Sequence, residues 1–287
     1  MVNIGYISNK VYDDKQGKFI PIHFFYPTRE IEKSEKFGPY DISVAMNASI
    51  YGDKIPLIVL SHGSGSSSLT HWDLMCSLVK SGYAVLALEH PGNCYFDDSL
   101  AGTLANLENR PRHIKLVIDH IVNNESVSNH LLKDKITLIG HSMGGYTALA
   151  ISGGIPVAIP DKTSGQSIEE ITVPYDNRIC SLILLAPACG WFNYKDSLNR
   201  VNVPILLLTA EKDHLSDILC TSVIENHTNV VHKTVTNAGH HSFQSPFPSH
   251  MKSIDFLPSQ DPAGFDREKY QVILSAEIQS FLSGIYH

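Results

Sequence analysis

Residues 136–151 read Ile-Thr-Leu-Ile-Gly-His-Ser-Met-Gly-Gly-Tyr-Thr-Ala-Leu-Ala-Ile, and this stretch decides the fold. In it, the apolar run Ile136–Ile139 leads into the pattern Gly-x-Ser-x-Gly, and a second apolar segment follows at Tyr146–Ile151. A strand, a tight turn with serine at its tip and a helix make up a nucleophile elbow, which exposes the serine hydroxyl. Glycines suit this turn because its backbone is strained and lies close to neighbouring chain. Ser142 is therefore the candidate nucleophile.

Outside the elbow, short apolar runs recur along the chain at strand length. Unbroken apolar runs are typical of strands that are covered on both faces of a parallel sheet. Two further strands are predicted near the N-terminus, at Asn3–Ile7 and Phe19–Tyr26, before this pattern begins at Pro56. Besides Ile136–Ile139, the runs are Leu57–Leu60, Tyr83–Leu88, Ile179–Leu185, Pro204–Leu208 and Val230–Val235.

Helical segments separate several of these runs. The first has apolar residues at the spacing of one helix face from Trp72 to Val79, with Thr70 as the expected N-cap. A second helix is predicted to begin at Pro111, because proline is favoured as the first helical residue. Two more are predicted over Leu215–Glu225 and Tyr270–Leu282. Repeated strand–helix–strand units with right-handed crossovers predict an α/β fold, with a mostly parallel doubly wound sheet and helices on both faces.

Length and composition indicate one domain, residues 1–287. Of the 287 residues, 43% are hydrophobic and 18% charged, which is enough to build a large core. Two stretches, Ser152–Asn177 and Ser242–Phe265, are rich in glycine, proline, serine and aspartate and show little periodicity. Long irregular loops in a compact domain commonly serve function. We predict that at least one forms a lid or pocket rim; the alternative is a pair of surface loops without contact to substrate.

Charge and cysteine content restrict which classes of partner and which cellular compartment are expected. Lysine and arginine number 22 against 29 aspartate and glutamate, a net charge of −7 without a basic cluster, so nucleic acid is not an expected partner. The N-terminus lacks the apolar stretch of a signal peptide, and no apolar run reaches the roughly 18 residues of a membrane span. Five cysteines without a C-x-x-C pair argue against a disulfide framework. The expectation is a cytoplasmic protein, whose oligomeric state stays open.

A serine nucleophile needs a base, and the base needs an orienting acid; after an elbow the acid comes first in the chain and the histidine second. Asp213 closely follows the run Pro204–Leu208, at the sheet edge where ligands bind, and Glu211 is an alternative acid. The histidine should follow the last strand, where His240 and His241 are adjacent. We favour His240 as the base, because a glycine precedes it, and place His241 in the pocket.

The oxyanion of an acyl-transfer reaction needs N–H donors. We expect one from the backbone of Met143 and a second from the backbone of Ser64, in the Gly/Ser-rich loop Ser61–Ser66. This loop is not a phosphate-binding loop of the G-x-x-x-x-G-K-[ST] type. No metal and no cofactor are expected, since His214 and the two adjacent histidines match no zinc-ligand spacing. The candidate pocket residues are His141, Tyr95, Trp191, His241 and Phe243.

Several short motifs are spread over almost the whole chain, at Ile20–Pro27, Leu60–Gly65, Gly82–Val85, Glu89–Gly92, Arg110–Ile114, Gly140–Gly145, Asp176–Ile179, Val203–Leu206 and Ala238–His240. With these motifs the chain resembles the platelet-activating-factor acetylhydrolase-like and predicted dienelactone-hydrolase-like α/β-hydrolases, which are also related to bacterial polyester hydrolases. The resemblance implies the α/β-hydrolase fold and a catalytic triad of Ser142, Asp213 and His240. Dienelactone hydrolases proper use a cysteine nucleophile where this chain has serine, so that activity is not implied.

The expected function is hydrolysis of a small-molecule carboxylic ester through an acyl-enzyme intermediate. An acyltransferase, a thioesterase or an amidase would use the same triad, and a hydrolase fold used only for binding is the alternative outside enzymes. Turnover of short p-nitrophenyl esters separates an enzyme from a binding protein. Products formed with added alcohols or amines separate hydrolysis from acyl transfer.

Overall fold

A computed structural model of the chain describes residues 2–158, 169–215, 222–225, 227 and 229–286. The strands are β1 (Asn3–Asp13), β2 (Lys18–Thr28), β3 (Lys33–Phe37), β4 (Tyr40–Met46), β5 (Ile55–Ser61), β6 (Ala84–Leu88), β7 (Leu131–His141), β8 (Val157–Ala158), β9 (Glu169–Glu170), β10 (Ile179–Leu185), β11 (Ile205–Ala210) and β12 (Val230–Val235). The α-helices are α1 (Trp72–Lys80), α2 (Leu104–Asn123), α3 (Glu125–Ser128), α4 (Met143–Ile151), α5 (Ser222–Glu225) and α6 (Arg267–Tyr286). Every strand predicted from the sequence is present, and several are longer than predicted.

Ten strands form one sheet in the order β12-β11-β10-β7-β5-β6-β2-β1-β4-β3. The strands from β12 to β6 run parallel to one another, whereas β2 joins β6 antiparallel and pairs with β1 as a hairpin. This arrangement confirms the mostly parallel doubly wound sheet. Because β6 lies on one side of β5 and β7 on the other, the crossovers diverge there. A crevice is expected at the carboxyl ends of strands at such a point, and β5 and β7 end there with Ser61 and His141.

Helices cover both faces of the sheet. On one face, α2 and α4 pack together and bury Ile118 and Leu149 completely. On the other face, α1 and α6 pack together and bury Leu78 and Ile278 completely. The central strands therefore have no solvated face, which explains why their sequences are unbroken apolar runs.

Helix α2 begins at Leu104, well before the predicted start at Pro111. Thr103 caps it, since its Oγ1 accepts an N–H of the first turn at 3.2 Å. A proline inside a helix cannot donate to the carbonyl four residues back, which here belongs to Leu107. The Tyr146 hydroxyl of α4 donates to that carbonyl oxygen at 3.1 Å. The lost helical hydrogen bond is thus replaced by a tie between the two helices, and α2 continues through the proline.

Three other predictions about local structure were incomplete. Helix α1 begins at Trp72 as expected, but Thr70 is not its cap: His71 occupies the N-cap position without a side-chain capping hydrogen bond, and the Thr70 hydroxyl donates to Ser67 O at 2.8 Å. The sequence did not predict the hairpin of β3 and β4. Of the predicted helix Leu215–Glu225, residues 216–221 lie outside the described part of the chain, and Ser222–Glu225 is helical.

None of the described helices combines the length and the apolar character needed to cross a bilayer. Three of the cysteines that the structure describes, Cys76, Cys94 and Cys180, are free thiols.

Candidate active site

Ser142 lies in the turn between β7 and α4 with φ 52° and ψ −117°. A positive φ is strained for a residue that carries a side chain, so the surroundings have to hold it. They do so through the main chain: Ser142 N donates to Leu185 O at 3.0 Å, and Ala188 N donates to Ser142 O at 2.8 Å. The strand β10 and the segment after it therefore fix the elbow, and the Ser142 side chain makes no capping hydrogen bond to α4.

The glycines of the elbow are required by close packing. A Cβ atom on Gly140 would lie 2.2 Å from Gly144 O, and one on Gly144 would lie 2.0 Å from Ser61 O. A Cβ on Gly145 would lie 2.3 Å from the Cβ of Pro187. Real side chains do not tolerate such distances. Glycine is therefore required at these three positions, because β5, β7 and the segment after β10 lie too close to the turn for any side chain.

Asp213 and His240 meet at the carboxyl edge of the sheet. Asp213 follows β11, His240 follows β12, and the His240 Nδ1 atom lies 2.8 Å from Asp213 Oδ2. Both side chains are almost wholly buried. Burial alone would raise the pKa of Asp213, but the hydrogen bond and charge of His240 hold it below its ordinary value. A carboxylate accepts hydrogen bonds, so Nδ1 carries the hydrogen and Nε2 of His240 is left to act as a base.

The alternative acid and base have different surroundings. Glu211 accepts a hydrogen bond from Asn237 N at 2.6 Å and is exposed. The Nδ1 atom of His241 is buried without a hydrogen-bond partner in the described part of the chain. Burial lowers the pKa of His241 to about 3. The geometry therefore favours the pair of Asp213 and His240.

Ser142 and His240 line the same cavity, which has a volume of about 890 Å³. Of the five pocket residues expected from the sequence, His141, Tyr95 and His241 line this cavity. Trp191 and Phe243 lie elsewhere, which corrects that expectation. The Trp191 ring packs against Tyr146 at 5.1 Å, and Phe243 is completely buried, 5.9 Å from the ring of Tyr270.

The cavity walls come from segments far apart in the chain. The stretch 242–265 contributes Phe247, Met251, Phe256 and Pro258. Its second wall is the hairpin of β3 and β4, whose residues 36–40 all line the cavity although the sequence did not single them out. No described residue of 152–177 lines it, and residues 159–168 of that stretch lie outside the described part. Four of these nine residues are aromatic and most of the others are apolar, so these two walls are mainly apolar.

The expected oxyanion donors lie beside the nucleophile. Met143 is the first residue of α4, so its N–H has no acceptor within the helix. The loop that carries Ser64 passes close to the nucleophile, since a Cβ on Gly63 would lie 3.3 Å from the Ser142 Cβ. Gly63 and Ser64 line the cavity together with Ser142. The segments that carry the two expected donors therefore lie next to the nucleophile.

Buried histidines surround the pair of Asp213 and His240. His141 Nε2 donates to His240 O at 3.0 Å, and His71 Nδ1 donates to Phe243 O at 3.1 Å. The His141 ring lies 5.1 Å from the rings of both His71 and His240. Burial holds the pKa of His141 well below its ordinary value and lowers that of His71 to about 4. Neutral histidines therefore support the base. No pattern in the sequence indicated a role for His71.

This burial predicts a protein that is sensitive to acid. Burial lowers the pKa of His62 and His71 to about 4, and it lowers that of His90 and His141 strongly too. Unfolded histidine titrates near about 6.5, so below that pH the unfolded chain binds protons that the folded chain does not. The free energy of unfolding therefore keeps its full value above about pH 6.5. It falls between about pH 6.5 and about pH 4, by on the order of 1 kcal/mol for each such histidine and each pH unit.

Urea unfolding checks this expectation: the midpoint should be clearly lower at pH 5 than at pH 7.5. His71→Gln serves as the matched variant, because it removes one titrating group and should make the pH dependence shallower. Equal midpoints at the two pH values would contradict a cluster of buried neutral histidines.

Comparison with known proteins gives partial matches in sequence and longer ones in structure. The profile of the Hydrolase_4 family, serine aminopeptidase S33, matches residues 52–163. A platelet-activating factor acetylhydrolase of the dog, Canis lupus familiaris, is 28% identical over 141 residues, covering 34% of this chain and 32% of that protein. The chain thus spans well under half the length of that relative.

Solved structures match over nearly the whole chain. A ferulic acid esterase from Streptomyces cinnamoneus has a TM-score of 0.70 at 18% identity, covering 96% of this chain and 88% of that one. A dienelactone hydrolase from Anabaena variabilis has a TM-score of 0.55 at 13% identity, covering 83% and 88%. At such low sequence identities, the structural similarity is evidence for the fold alone. Together with the sheet order and the serine elbow, it shows that this chain has the α/β-hydrolase fold.

Proposed function

We propose that the chain is a serine hydrolase that cleaves a carboxylic ester through an acyl-enzyme intermediate. Ser142 is the nucleophile, His240 the base and Asp213 the residue that orients the base. The observation that carries the proposal is the 2.8 Å pair of His240 Nδ1 and Asp213 Oδ2, because His240 lines the same cavity as the strained Ser142 turn.

Each group has a defined role in this reaction. His240 Nε2 takes the hydroxyl proton of Ser142 while the oxygen attacks the carbonyl carbon, and Asp213 stabilises the imidazolium that results. The N–H groups of Met143 and Ser64 donate to the oxyanion. His240 then gives the proton to the leaving alcohol. Water, activated by the same histidine, attacks the acyl-enzyme and releases the acid and free Ser142.

The cavity favours a small-molecule ester with an apolar group. Its volume of about 890 Å³ is in the range of sites for small ligands. Rings of Tyr40, Phe247 and Phe256 form a continuous wall, with centroids 6.3 and 5.2 Å apart. Two of these rings, Phe247 and Phe256, belong to the stretch 242–265, which we propose as the pocket rim. The names of the compared proteins, an acetylhydrolase and a ferulic acid esterase, support an ester as the bond.

A second candidate is an amidase that uses the same triad. The family profile that matches residues 52–163 is described as a serine aminopeptidase, which favours this alternative for part of the chain. Acyltransferase and thioesterase chemistry would also need the same groups. Comparing p-nitrophenyl acetate with p-nitroacetanilide distinguishes ester from amide cleavage, and adding an alcohol reveals acyl transfer.

Labelling of the nucleophile tests the main proposal. A fluorophosphonate should inactivate hydrolysis of p-nitrophenyl acetate with one label per chain, and peptide mass mapping should place that label on Ser142. Prior incubation with a slowly released substrate should protect against it. Turnover without a label on Ser142, or a label on another serine that accounts for the inactivation, would rule the proposal out.

We also place the protein in the cytoplasm. The free thiols of Cys76, Cys94 and Cys180 support this, since reducing compartments keep cysteines unpaired. The charge balance, with 29 acidic against 22 basic side chains, speaks for a small-molecule partner rather than nucleic acid.

A further inference from the structure

Arg110 is the largest completely buried side chain of the described part of the chain. All the acceptors described for its guanidinium are uncharged oxygens: Thr147 Oγ1 at 2.9 Å, Asn93 Oδ1 at 2.7 Å, Ser61 Oγ at 3.3 Å and the carbonyl of His62. Burying a charge without a directly paired carboxylate is costly. Burial lowers the pKa of Arg110 to about 9, which reflects this cost. The contacts of the guanidinium indicate which parts of the protein Arg110 holds in place.

One arm of the guanidinium reaches the helix that follows the nucleophile. Arg110 Nε donates to Thr147 Oγ1, and the Thr147 hydroxyl in turn donates to Met143 O at 3.0 Å. Thr147 Oγ1 uses its only hydrogen for Met143, so its lone pairs are directed towards Arg110. The position of Met143, the first residue of α4 and an expected oxyanion donor, is thus tied to Arg110.

The other arm reaches the loop of the second oxyanion donor. Arg110 Nη1 donates to Asn93 Oδ1, and Asn93 Nδ2 donates to Ser64 Oγ at 2.7 Å. The Asn93 amide also donates to Asp98 Oδ1 at 2.6 Å and accepts from Asn106 Nδ2 at 3.0 Å. These four partners fix which end of the amide faces Ser64.

A third contact holds the same loop directly. Arg110 Nη2 donates to the carbonyl of His62, two residues before Ser64, and to Ser61 Oγ at the end of β5. One rigid fork therefore connects both sides of the expected oxyanion site. A lysine has three donors on a flexible stem and could not span these positions at once.

We propose that Arg110 is the positioning residue of the oxyanion site, fixing the N–H groups of Met143 and Ser64 relative to each other. The inference rests on the proposed ester hydrolysis. Donors stabilise a developing oxyanion only if they are already oriented. A displacement of about 1 Å can cost about 10²-fold in rate. Losing the fork should therefore lower kcat and leave KM nearly unchanged, because ground-state binding depends on the apolar walls.

Three variants test the proposal at different points of the network. Arg110→Lys keeps the charge but loses the fork, and we expect kcat for p-nitrophenyl acetate to fall about 10- to 100-fold. Thr147→Val and Ser64→Ala cut one arm each and keep both backbone N–H groups; valine matches the shape of threonine, and alanine removes only the hydroxyl of serine. We expect kcat to fall about tenfold in each, with KM within about threefold. The melting temperature should stay unchanged in Ser64→Ala and fall in Thr147→Val, because the buried Nε of Arg110 loses its acceptor there.

Arg112→Lys is the matched control on the same helix. Arg112 pairs with Asp13 at 2.7 Å and takes no part in the network, so kcat should stay at the wild-type value. If Arg110→Lys fails to fold, the two single-arm variants still decide. A kcat within about twofold of wild type in both of them, or in a folded Arg110→Lys, would overturn the positioning role.

The failure of the proposed function would look different. A wild-type protein without esterase activity, or one that keeps it after Ser142→Ala, would overturn ester hydrolysis by this triad and the positioning role with it. A wild type that depends on Ser142 but is indifferent to Thr147→Val and Ser64→Ala would overturn only the positioning role.

Discussion

Replacing Ser142 with alanine is expected to lower kcat/KM for ester hydrolysis by at least about 10³-fold, because the members of a triad act as one unit. The fold should survive the change. The hydrogen bonds that hold the elbow, from Ser142 N to Leu185 O and from Ala188 N to Ser142 O, use only the main chain. Alanine keeps the Cβ atom and tolerates the positive φ no worse than serine does. Steady-state kinetics with p-nitrophenyl acetate and thermal unfolding by circular dichroism measure the two effects.

Ser152→Ala is the matched control for this variant. Ser152 follows α4 at the end opposite Ser142, and its buried Oγ has no hydrogen-bond partner in the described part of the chain. Removing that hydroxyl should leave kcat/KM within about twofold, as is usual for a change remote from the site. Activity of Ser142→Ala within about tenfold of wild type would remove the central role of Ser142.

The sequence predicted the sheet and the elbow because both depend on local patterns. The central strands have no solvated face, so each appears as an unbroken apolar run that needs no tertiary information to be recognised. Gly140 is required by a close contact within the same motif, with Gly144 O, whereas Gly144 is required by the close approach of Ser61 at the end of β5. The order of acid and histidine along the chain then placed Asp213 and His240, which the structure brings to 2.8 Å.

Features that depend on packing between distant segments were beyond the sequence. The helix start predicted at Pro111 is wrong, because the Tyr146 hydroxyl that replaces the missing hydrogen bond of the proline comes from another helix. Trp191 and Phe243 were placed in the pocket for their aromatic character and position in the chain. Whether such a ring faces a cavity or the core is decided by its neighbours, and both rings pack inside the protein.

The cavity wall and the buried network escaped the sequence for the same reason. The hairpin of β3 and β4 belongs to a region without apolar runs, and only its place at the edge of the sheet brings Tyr40 to Phe247. Arg110 belongs to a helix whose apolar periodicity is clear. Nothing in that periodicity indicates that a charged residue turns inward and reaches the loops on both sides of Ser142.

Replacing His240 with alanine should lower kcat/KM for ester hydrolysis by at least about 10³-fold, whereas His241→Ala should lower it only slightly. The two histidines are adjacent and their rings lie 5.1 Å apart, so His241→Ala is a close control for steric disturbance of the loop. Of the two histidines, His240 is the one hydrogen-bonded to Asp213 in the described structure, and this bond fixes the tautomer that leaves Nε2 free to accept a proton. His241 lines the cavity, and its loss should act mainly on KM.

Kinetics of both variants with p-nitrophenyl acetate, together with fluorophosphonate labelling rates, measure this difference. In His240→Ala the labelling of Ser142 should slow along with turnover, because the same base activates the serine for both reactions. In His241→Ala labelling should stay within about tenfold of wild type. The reverse result would move the base by one residue. It would also mean that the hydrogen bond between Asp213 and His240 serves the loop rather than the reaction, since a base at His241 would work without the orienting carboxylate.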